Sequence, residues 1–231
     1  PRNADMKSGD TWLGSPAINL PAREVAQGYP EHLTFAPSPW RRLGRGLVEA
    51  ARIAMPHAVV IAVGYAIVLD AMPLASAGRW GAVVADLAVG GVLFGMVAFF
   101  LVALFKWLTI RRYDKTAVPM WTPFVWLSEA TTNMYEGMAV PNFLRYLRGT
   151  PWLPLAMNLM GSKIAPSAYL DTTDITEHDC VTIGEHSELN ALCCPQTHLF
   201  EDRVMKIDHV VIGKRVTMGA RCTVLYSATV G

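Results

Sequence analysis

Apolar residues recur at intervals of six in the last third of the chain. The leading positions are Ile212, Met218, Val224 and Val230, and small or apolar residues follow the first three after four positions, at Val216, Cys222 and Ala228. A glycine directly follows three of the leading positions. A period of six fits neither an α-helix nor the alternation of a half-buried strand. It favours a left-handed parallel β-helix in which each hexapeptide forms one side of a triangular turn, with glycine at the corners and Cys222 in the core.

The same spacing begins earlier but is irregular there. Ile164 and Leu170 are six apart, as are Ile183 and Leu189, and the register slips between the two pairs. A segment that reads CCPQTHLFEDRVM, from Cys193 to Met205, interrupts the repeat. Loops that project from a repeat scaffold are common places for functional side chains. We therefore predict a β-helix domain over residues 164–231 and expect its chemistry in the insert.

Two stretches, 53–69 and 87–105, contain no Asp, Glu, Lys or Arg. Their 17 and 19 residues compare with the ~20 that cross the hydrocarbon core of a bilayer as a helix. A pair of buried core helices is the alternative, but a domain of this size has little protein with which to surround them. We predict a two-helix transmembrane hairpin over residues 41–115. The fold class is then mixed: a transmembrane α-helical hairpin followed by a left-handed parallel β-helix of hexapeptide repeats.

Positive charges flank the outer ends of this hairpin. Four arginines precede the first stretch (Arg41, Arg42, Arg45 and Arg52), and four basic residues follow the second (Lys106, Arg111, Arg112 and Lys115). The connecting loop has Arg79 as its positive charge. Because positive flanks remain in the cytoplasm, we predict a multi-pass membrane protein with the β-helix facing the cytoplasm.

Residues 116–163 combine tryptophan, methionine and proline. Proline interrupts helices, so short helices are predicted here. We interpret 116–163 as a proline-broken helical connector along the membrane surface. Core helices packed on the β-helix are the alternative.

Charge and cysteine content narrow the possible partners and cofactors. The net charge is +1, and no run of Lys or Arg resembles a nucleic-acid-binding surface, so no nucleic-acid partner is expected. The four cysteines form no C-x-x-C pair. The histidines offer no set of three with the spacing of a zinc anhydrase built on the same coil, so no metal is predicted.

His198 is the candidate catalytic residue of the insert. A base with a pKa near 6.5 accepts the proton of an attacking amine at small cost. Glu201 and Asp202 are close enough in sequence to orient the imidazole or to attract a cationic amine. An alternative is covalent catalysis by Cys194, four residues before His198. The other histidines of this region, His178, His186 and His209, are predicted on exposed coil corners.

The insert and the repeats after it resemble the hexapeptide-repeat acyltransferase signature. The resemblance is carried by Gln196-Thr197-His198 with Arg203, by 210–213 (VVIG) and by 218–220 (MGA). In that family a loop histidine is the general base, and such corners line the slot for the pantetheine arm. The resemblance implies a phosphopantetheine thioester on a carrier, or CoA, as the acyl donor. It implies four cofactor-binding residues: Gly213, Met218, Gly219 and Ala220.

The layout of the chain is similar to the carboxy-terminal region of ε-poly-L-lysine-synthetase-type nonribosomal peptide synthetases. The segments that carry this resemblance are 126–129 through 142–143, 147–151, and 189–192 through 202–203. It implies an acyl- or peptidyl-transfer module that forms amide bonds from carrier-bound aminoacyl thioesters. The implied partners are the bilayer, a carrier-protein domain of the same chain, an amine acceptor, and adjacent β-helix modules or protomers in a trimer-like arrangement. A non-catalytic membrane scaffold or carrier-docking module, and a CoA-dependent acetyltransferase, are the alternatives.

The run from Trp12 to Ala17 (WLGSPA) resembles the turn through which such transferases leave their last coil. Residues 1–40 are accordingly predicted to be the tail of a preceding β-helix module and a linker.

Overall fold

The computed structural model describes residues 7, 10–13, 18–20 and 28–231. Strands β1 (Thr11–Leu13) and β2 (Ile18–Leu20) pair in an antiparallel register. The predicted exit turn falls partly outside the described residues, which include its Trp12 and Leu13 but not 14–17.

Two long apolar helices follow a short 3₁₀ turn (Glu31–Leu33): α1 (Pro39–Ser76) and α2 (Trp80–Thr109). The Ser38 side chain caps α1 by accepting a hydrogen bond from the backbone N–H of Arg41, and Pro39 suits the first helical position. Both helices are long and apolar enough to cross a membrane. Their most apolar windows are only 6% and 28% buried, whereas the core helix of a soluble domain is mostly buried.

Short elements connect α2 to the parallel strands. They are β3 (Thr116–Pro119), α3 (Pro123–Met134), a π-helical turn (Tyr135–Ala139), α4 (Val140–Asn142), a 3₁₀ turn (Leu144–Leu147) and α5 (Trp152–Leu159). Prolines stand at the start of α3 and within the first turn of α4, where a missing N–H costs least. One face of the connector packs on α2 and on the strands, with Leu144, Leu153 and Met157 fully buried.

Nine of the remaining strands form three parallel sheets that the chain visits in rotation. The first sheet contains β4 (Lys163–Ile164), β6 (Val181–Ile183), β11 (Val210–Ile212) and β14 (Thr229–Val230). The second contains β5 (Tyr169–Leu170), β7 (Glu188–Leu189) and β12 (Thr217–Met218), and the third contains β8 (Cys194–Gln196) and β13 (Thr223–Leu225). The fold is therefore mixed, with two long apolar helices followed by short strands in parallel sheets.

Equivalent strands are offset by about one turn of three hexapeptides. Ile212 pairs with Val230, 18 residues on, and Ile164 pairs with Ile183, 19 residues on. The extra residue in the earlier turn accounts for the register slip in the sequence. Ile183 pairs with Ile212, 29 residues on, because an antiparallel hairpin is inserted between them. The predicted insert began at Cys193, but β8 belongs to the parallel sheets, so the chain leaves them after Gln196 and returns at Val210.

The leading positions of the repeat point inward. Leu170, Ile183, Leu189 and Ile212 are at most 1% exposed. Cys222 is exposed, so its predicted core position is wrong. It lies directly before β13, which pairs with β8 on one side and is the last strand of its sheet.

The left-handed corners fall at residues other than glycine. Positive φ angles of 57–63° recur every six residues within each run of strands, at His186 and Leu192 and again at Arg215, Arg221 and Ser227. The glycines serve close stacking instead. A Cβ on Gly184 would lie 2.5 Å from the Gly213 carbonyl oxygen, and one on Gly213 would lie 3.2 Å from Gly231. Glycine at these positions lets successive turns approach each other.

Candidate active site

The insert is a β-hairpin that brings His198 to the face of the helices. Strand β9 (His198–Glu201) pairs with β10 (Val204–Ile207), and β10 also pairs with β3. The turn residues Asp202 and Arg203 both have positive φ angles, 50° and 61°, which are typical of a tight two-residue hairpin turn. Pairing with β3 fixes the hairpin against the connector, so His198 has a defined position.

His198 is hydrogen-bonded to Glu177. The distance from His198 Nδ1 to Glu177 Oε2 is 2.8 Å. The side chain of Glu177 is 1% exposed, and that of His198 is 25% exposed. The hydroxyls of Thr176 and Thr197 donate to the same carboxylate oxygen, at 2.6 and 2.5 Å. A buried carboxylate needs such donors, and here three groups satisfy it.

The two groups shift each other's pKa in opposite directions. Burial alone would raise the pKa of Glu177, but the hydrogen bond and charge of His198, with the two threonine hydroxyls, hold it below its ordinary value. Burial alone would lower the pKa of His198, but the hydrogen bond and charge of Glu177 raise it above its ordinary value. Glu177 also fixes the tautomer, because Nδ1 donates to it and leaves Nε2 as the basic nitrogen.

The pair lines a cavity of about 220 Å³ where the helices meet the strands. Its wall combines residues from α1, α3, the π-helical turn, the segment between β5 and β6, and the hairpin: Arg52, Ser128, Glu129, Thr132, Asn133, Glu136, Glu177, His198, Phe200 and Met205. Most of these side chains are polar or charged. The cavity can therefore hold a small polar group within reach of a base.

Ion pairs fasten the polar start of α1 over this cavity. Arg45 pairs with Glu129 of α3 at 2.5 Å and with Glu49 at 2.7 Å. Arg52 donates to the Glu129 carbonyl oxygen at 3.4 Å. The first apolar helix thus contributes directly to the site.

Glu177 was missed by sequence reasoning. It lies 21 residues before His198, in the polar run TTDITEHD between Leu170 and Val181. The third side of the first turn lies in this run, and the run has no hexapeptide pattern. The one sequence signal for this segment is that polar residues stand where the hexapeptide repeat would continue.

The predicted partners of His198 lie elsewhere in the hairpin. Glu201 forms an ion pair with Lys206 at 3.0 Å, and Asp202 occupies the hairpin turn. The carboxylate that binds the imidazole is that of Glu177, and neither Glu201 nor Asp202 lines the cavity.

The four predicted cofactor-binding residues lie on the parallel strands and their corners. The Gly213 carbonyl accepts from Ser187 Oγ at 2.7 Å, and the Gly219 carbonyl accepts from Cys193 Sγ at 2.8 Å. Met218 is buried in the core at 5% exposure, and Ala220 is exposed. None of the four lines the cavity of His198.

The remaining candidates have other surroundings. Cys194 lines a separate cavity of about 330 Å³, and burial raises the pKa of its thiol, which disfavours a nucleophilic thiolate. His178 is 2% exposed, so its predicted place on an exposed corner is wrong, and burial lowers its pKa to about 4. Among the described residues, no three His, Cys, Asp or Glu side chains are grouped as a metal site.

Comparison with known proteins gives a match along the whole chain. Over 230 residues, 100% of the chain, it is 51% identical to a delta-poly-L-ornithine synthetase of Acinetobacter baumannii (strain AB307-0294). The chain is a homologue of one region of that synthetase. It spans 17% of the length of that curated relative. No protein-family model matches the chain, and no solved structure matches it.

Proposed function

We propose that this chain is an acyl- or peptidyl-transfer module of a membrane-bound nonribosomal synthetase of poly-amino acids. The observation that carries the proposal is the His198–Glu177 pair in a polar cavity, within a chain 51% identical to a region of a poly-L-ornithine synthetase. A buried carboxylate that orients a histidine is a common arrangement for general-base catalysis.

The proposed scaffold is a left-handed parallel β-helix. Three parallel sheets visited in rotation, the 18-residue offset and the six-residue recurrence of left-handed corners all support it. The proposed anchor is a transmembrane hairpin of α1 and α2, supported by their largely exposed apolar windows and by the basic residues at both outer ends. The β-helix then faces the cytoplasm.

In the proposed reaction, Nε2 of neutral His198 takes a proton from the amine as the amine attacks the acyl carbon. The bond from the acyl carbon to its leaving group then breaks, and the leaving group departs with that proton. Glu177 holds the ring in place through Nδ1 and stabilises the imidazolium that forms, because its carboxylate is already ionised. Because Glu129 is paired with Arg45, Glu136 is the wall carboxylate that favours a cationic amine acceptor such as a diamino acid.

The proposed donor is a thioester on carrier-bound phosphopantetheine or CoA. The four residues predicted to contact the pantetheine arm do not fit this role at the His198 cavity, since none of them lines it. We therefore derive no step through that group. The same observation favours a second candidate, a non-catalytic scaffold or carrier-docking module of the same assembly. Carrier domains and adjacent β-helix modules or protomers are proposed partners in both cases.

The deciding experiment uses the full-length synthetase that contains this chain, with His198→Ala and a matched His186→Ala variant. His186 is exposed and lies outside the cavity. Polymer formation is measured with ATP and L-ornithine first, then other diamino acids, and amino-acid adenylation is followed in parallel as a control of folding. Loss of a general base lowers the rate by about 10²–10⁴-fold. We expect that loss for His198→Ala alone. Unchanged polymer formation with intact adenylation would assign this module to the scaffold.

A further inference from the structure

The depth of the connector in the membrane follows from how the two helices of the transmembrane hairpin, α1 and α2, are aligned. The two helices run antiparallel, and a Cβ on Gly90 would lie 2.9 Å from Cγ2 of Ile67. Arg52 is fifteen residues before Ile67 on α1, and Phe105, directly before Lys106, is fifteen residues after Gly90 on α2. The uncharged stretches 53–69 and 87–105 are therefore level with each other. In the membrane hairpin proposed above, on which this inference rests, the cytoplasmic boundary of the hydrocarbon core lies near Arg52 and Lys106.

The connector contacts α2 well beyond that boundary. A Cβ on Gly95 would lie 2.1 Å from the carbonyl oxygen of Asn142, and the rings of Phe99 and Phe143 are 5.7 Å apart. Gly95 precedes Phe105 by ten residues, which is about 15 Å along a helix. That is about half of the ~30 Å hydrocarbon core. Asn142 and Phe143 thus lie about one leaflet below the cytoplasmic boundary, near the middle of the bilayer.

The outward face of α5 is apolar at this depth. Trp152, Leu155 and Leu159 of α5 are 64%, 54% and 49% exposed. They border an apolar groove of about 340 Å³ whose other wall includes Phe100 of α2. Residues 149–162 contain no Asp, Glu, Lys or Arg. The exposed apolar surface of α2 therefore continues without interruption onto α5.

Three polar side chains of this region form hydrogen bonds within the protein, as membrane depth favours. Asn142 Nδ2 donates to the Met138 carbonyl oxygen at 2.8 Å, and Trp107 Nε1 donates to that of Leu159 at 3.0 Å. The side chain of Asn158 bonds both the N–H and the carbonyl of Ile164 at 2.8 Å. These bonds leave the outer face free for a non-polar solvent.

We propose that residues 138–159 form a re-entrant wedge in the cytoplasmic leaflet, with phospholipid acyl chains in the groove between α2 and α5. The two charged side chains of this segment have partners within the protein. The Arg145 guanidinium lies 5.0 Å from the centre of the Tyr146 ring, and Arg148 Nε lies 3.9 Å from Oδ1 of Asp171. Because Arg52 lines the His198 cavity, that cavity lies at the membrane boundary, and its amine acceptor enters at the interface.

The test is a depth measurement by spin labelling of the chain in phospholipid vesicles. Nitroxides are attached at Leu155→Cys, at Leu104→Cys on the exposed face of α2, and at Glu188→Cys on the strands, in a Cys194→Ser, Cys222→Ser background. Collision rates with oxygen, which concentrates in lipid, and with a water-soluble nickel chelate are compared at each site. We expect the oxygen-to-nickel ratio at Leu155 to equal that at Leu104 and to exceed that at Glu188 severalfold.

Two other results would overturn the wedge. If Leu155 matches Glu188 while Leu104 remains lipid-exposed, the connector lies above the bilayer and the hairpin still spans it. If Leu104 is itself water-exposed, the proposed span fails together with the wedge. Quenching of Trp152 by brominated phospholipids, measured as the difference from Trp152→Phe, gives a readout that needs no cysteine substitution. The transfer activity is tested separately by His198→Ala, so the two proposals fail independently.

Discussion

The parallel strands and the helical region are stabilised in different ways. In the strands, neighbouring turns meet at equivalent positions, so that Ile183 stacks between Ile164 and Ile212, and Leu189 between Leu170 and Met218. In the helical region the close contacts each occur once, such as Gly95 against Asn142 and the buried pair of Lys106 with Asp179. A repeat distributes its stabilisation over many similar sites. The helical region instead depends on a few contacts that each occur once. Single substitutions at those contacts should show the difference in stabilisation between the two regions.

The largest effect is expected for Lys106→Met. Lys106 and Asp179 are 2.5 Å apart with side-chain exposures of 0% and 2%, so the substitution leaves a buried charge without its partner. Removal of one member of a buried pair costs about 3–5 kcal/mol. Urea unfolding in detergent micelles measures the change in free energy of unfolding. The control is Lys214→Met, which removes the exposed pair with Glu185 on the strands and is expected to change nothing measurable. Equal losses of unfolding free energy for the two variants would contradict the idea that the helical region depends on single buried contacts.

Leu189→Ala tests the repeat itself. Leu189 is fully buried between two equivalent residues, and a buried Leu→Ala substitution costs about 2–5 kcal/mol. The matched variant is Leu225→Ala on β13, where the side chain is 55% exposed, and we expect a change within about 0.5 kcal/mol. The same unfolding measurement applies. A large loss at Leu225 would show that the last turn is as tightly packed as the inner ones.

Gly95→Ala tests the close approach of the connector to α2. The added methyl group would lie 2.1 Å from the backbone oxygen of Asn142, so helix and connector must separate at a cost of about 1–3 kcal/mol. Gly91 is on the same helix with no atom within 4 Å of such a methyl group. Thermal unfolding should therefore distinguish Gly95→Ala from a nearly unchanged Gly91→Ala. Equal midpoints would show that the contact is loose.

The smallest effect is a shift in pH dependence for Glu177→Gln. General-base catalysis needs neutral His198, so the rate rises as pH passes the pKa of His198, which Glu177 holds above its ordinary value. Without that carboxylate the pKa falls, and the rising limb of the pH–rate profile moves to lower pH. Glu201→Gln is the control, because Glu201 pairs with Lys206 and does not line the cavity. A limb that stays in place for Glu177→Gln, or moves for Glu201→Gln, would contradict the assignment.

The same pair fixes the sign of its effect on folding stability. Glu177 has a lowered pKa, so its contribution is present above its ordinary pKa and is lost as pH falls through the lowered value. His198 has a raised pKa, so its contribution is present below its ordinary pKa and is lost as pH rises through the raised value. The pair therefore stabilises the fold fully between the ordinary pKa of glutamate and the ordinary pKa of histidine, and its contribution declines outside that window. Glu177→Gln should flatten the decline of the unfolding free energy on both sides of that window.

Local patterns in the sequence determined the two apolar helices, the short strands and the inward direction of the leading positions of the repeat. They also singled out His198, because an insertion in a regular repeat is visible without any knowledge of the fold. These features depend on spacing along the chain, and spacing is local. The inward positions of Leu170, Ile183, Leu189 and Ile212 follow from a six-residue period that two neighbouring hexapeptides are enough to show.

Tertiary structure decided the partner of His198 and the surroundings of the site. The imidazole of His198 binds Glu177 rather than Glu201, which is nearer in the sequence. The reason is that β10 pairs with β3, and this pairing places the hairpin against the helices. The left-handed corners fall at residues such as Arg215 rather than at the glycines, because the glycines are needed where successive turns approach closely. Both outcomes depend on contacts between segments far apart in the chain. Such contacts are set by packing, which no local pattern records.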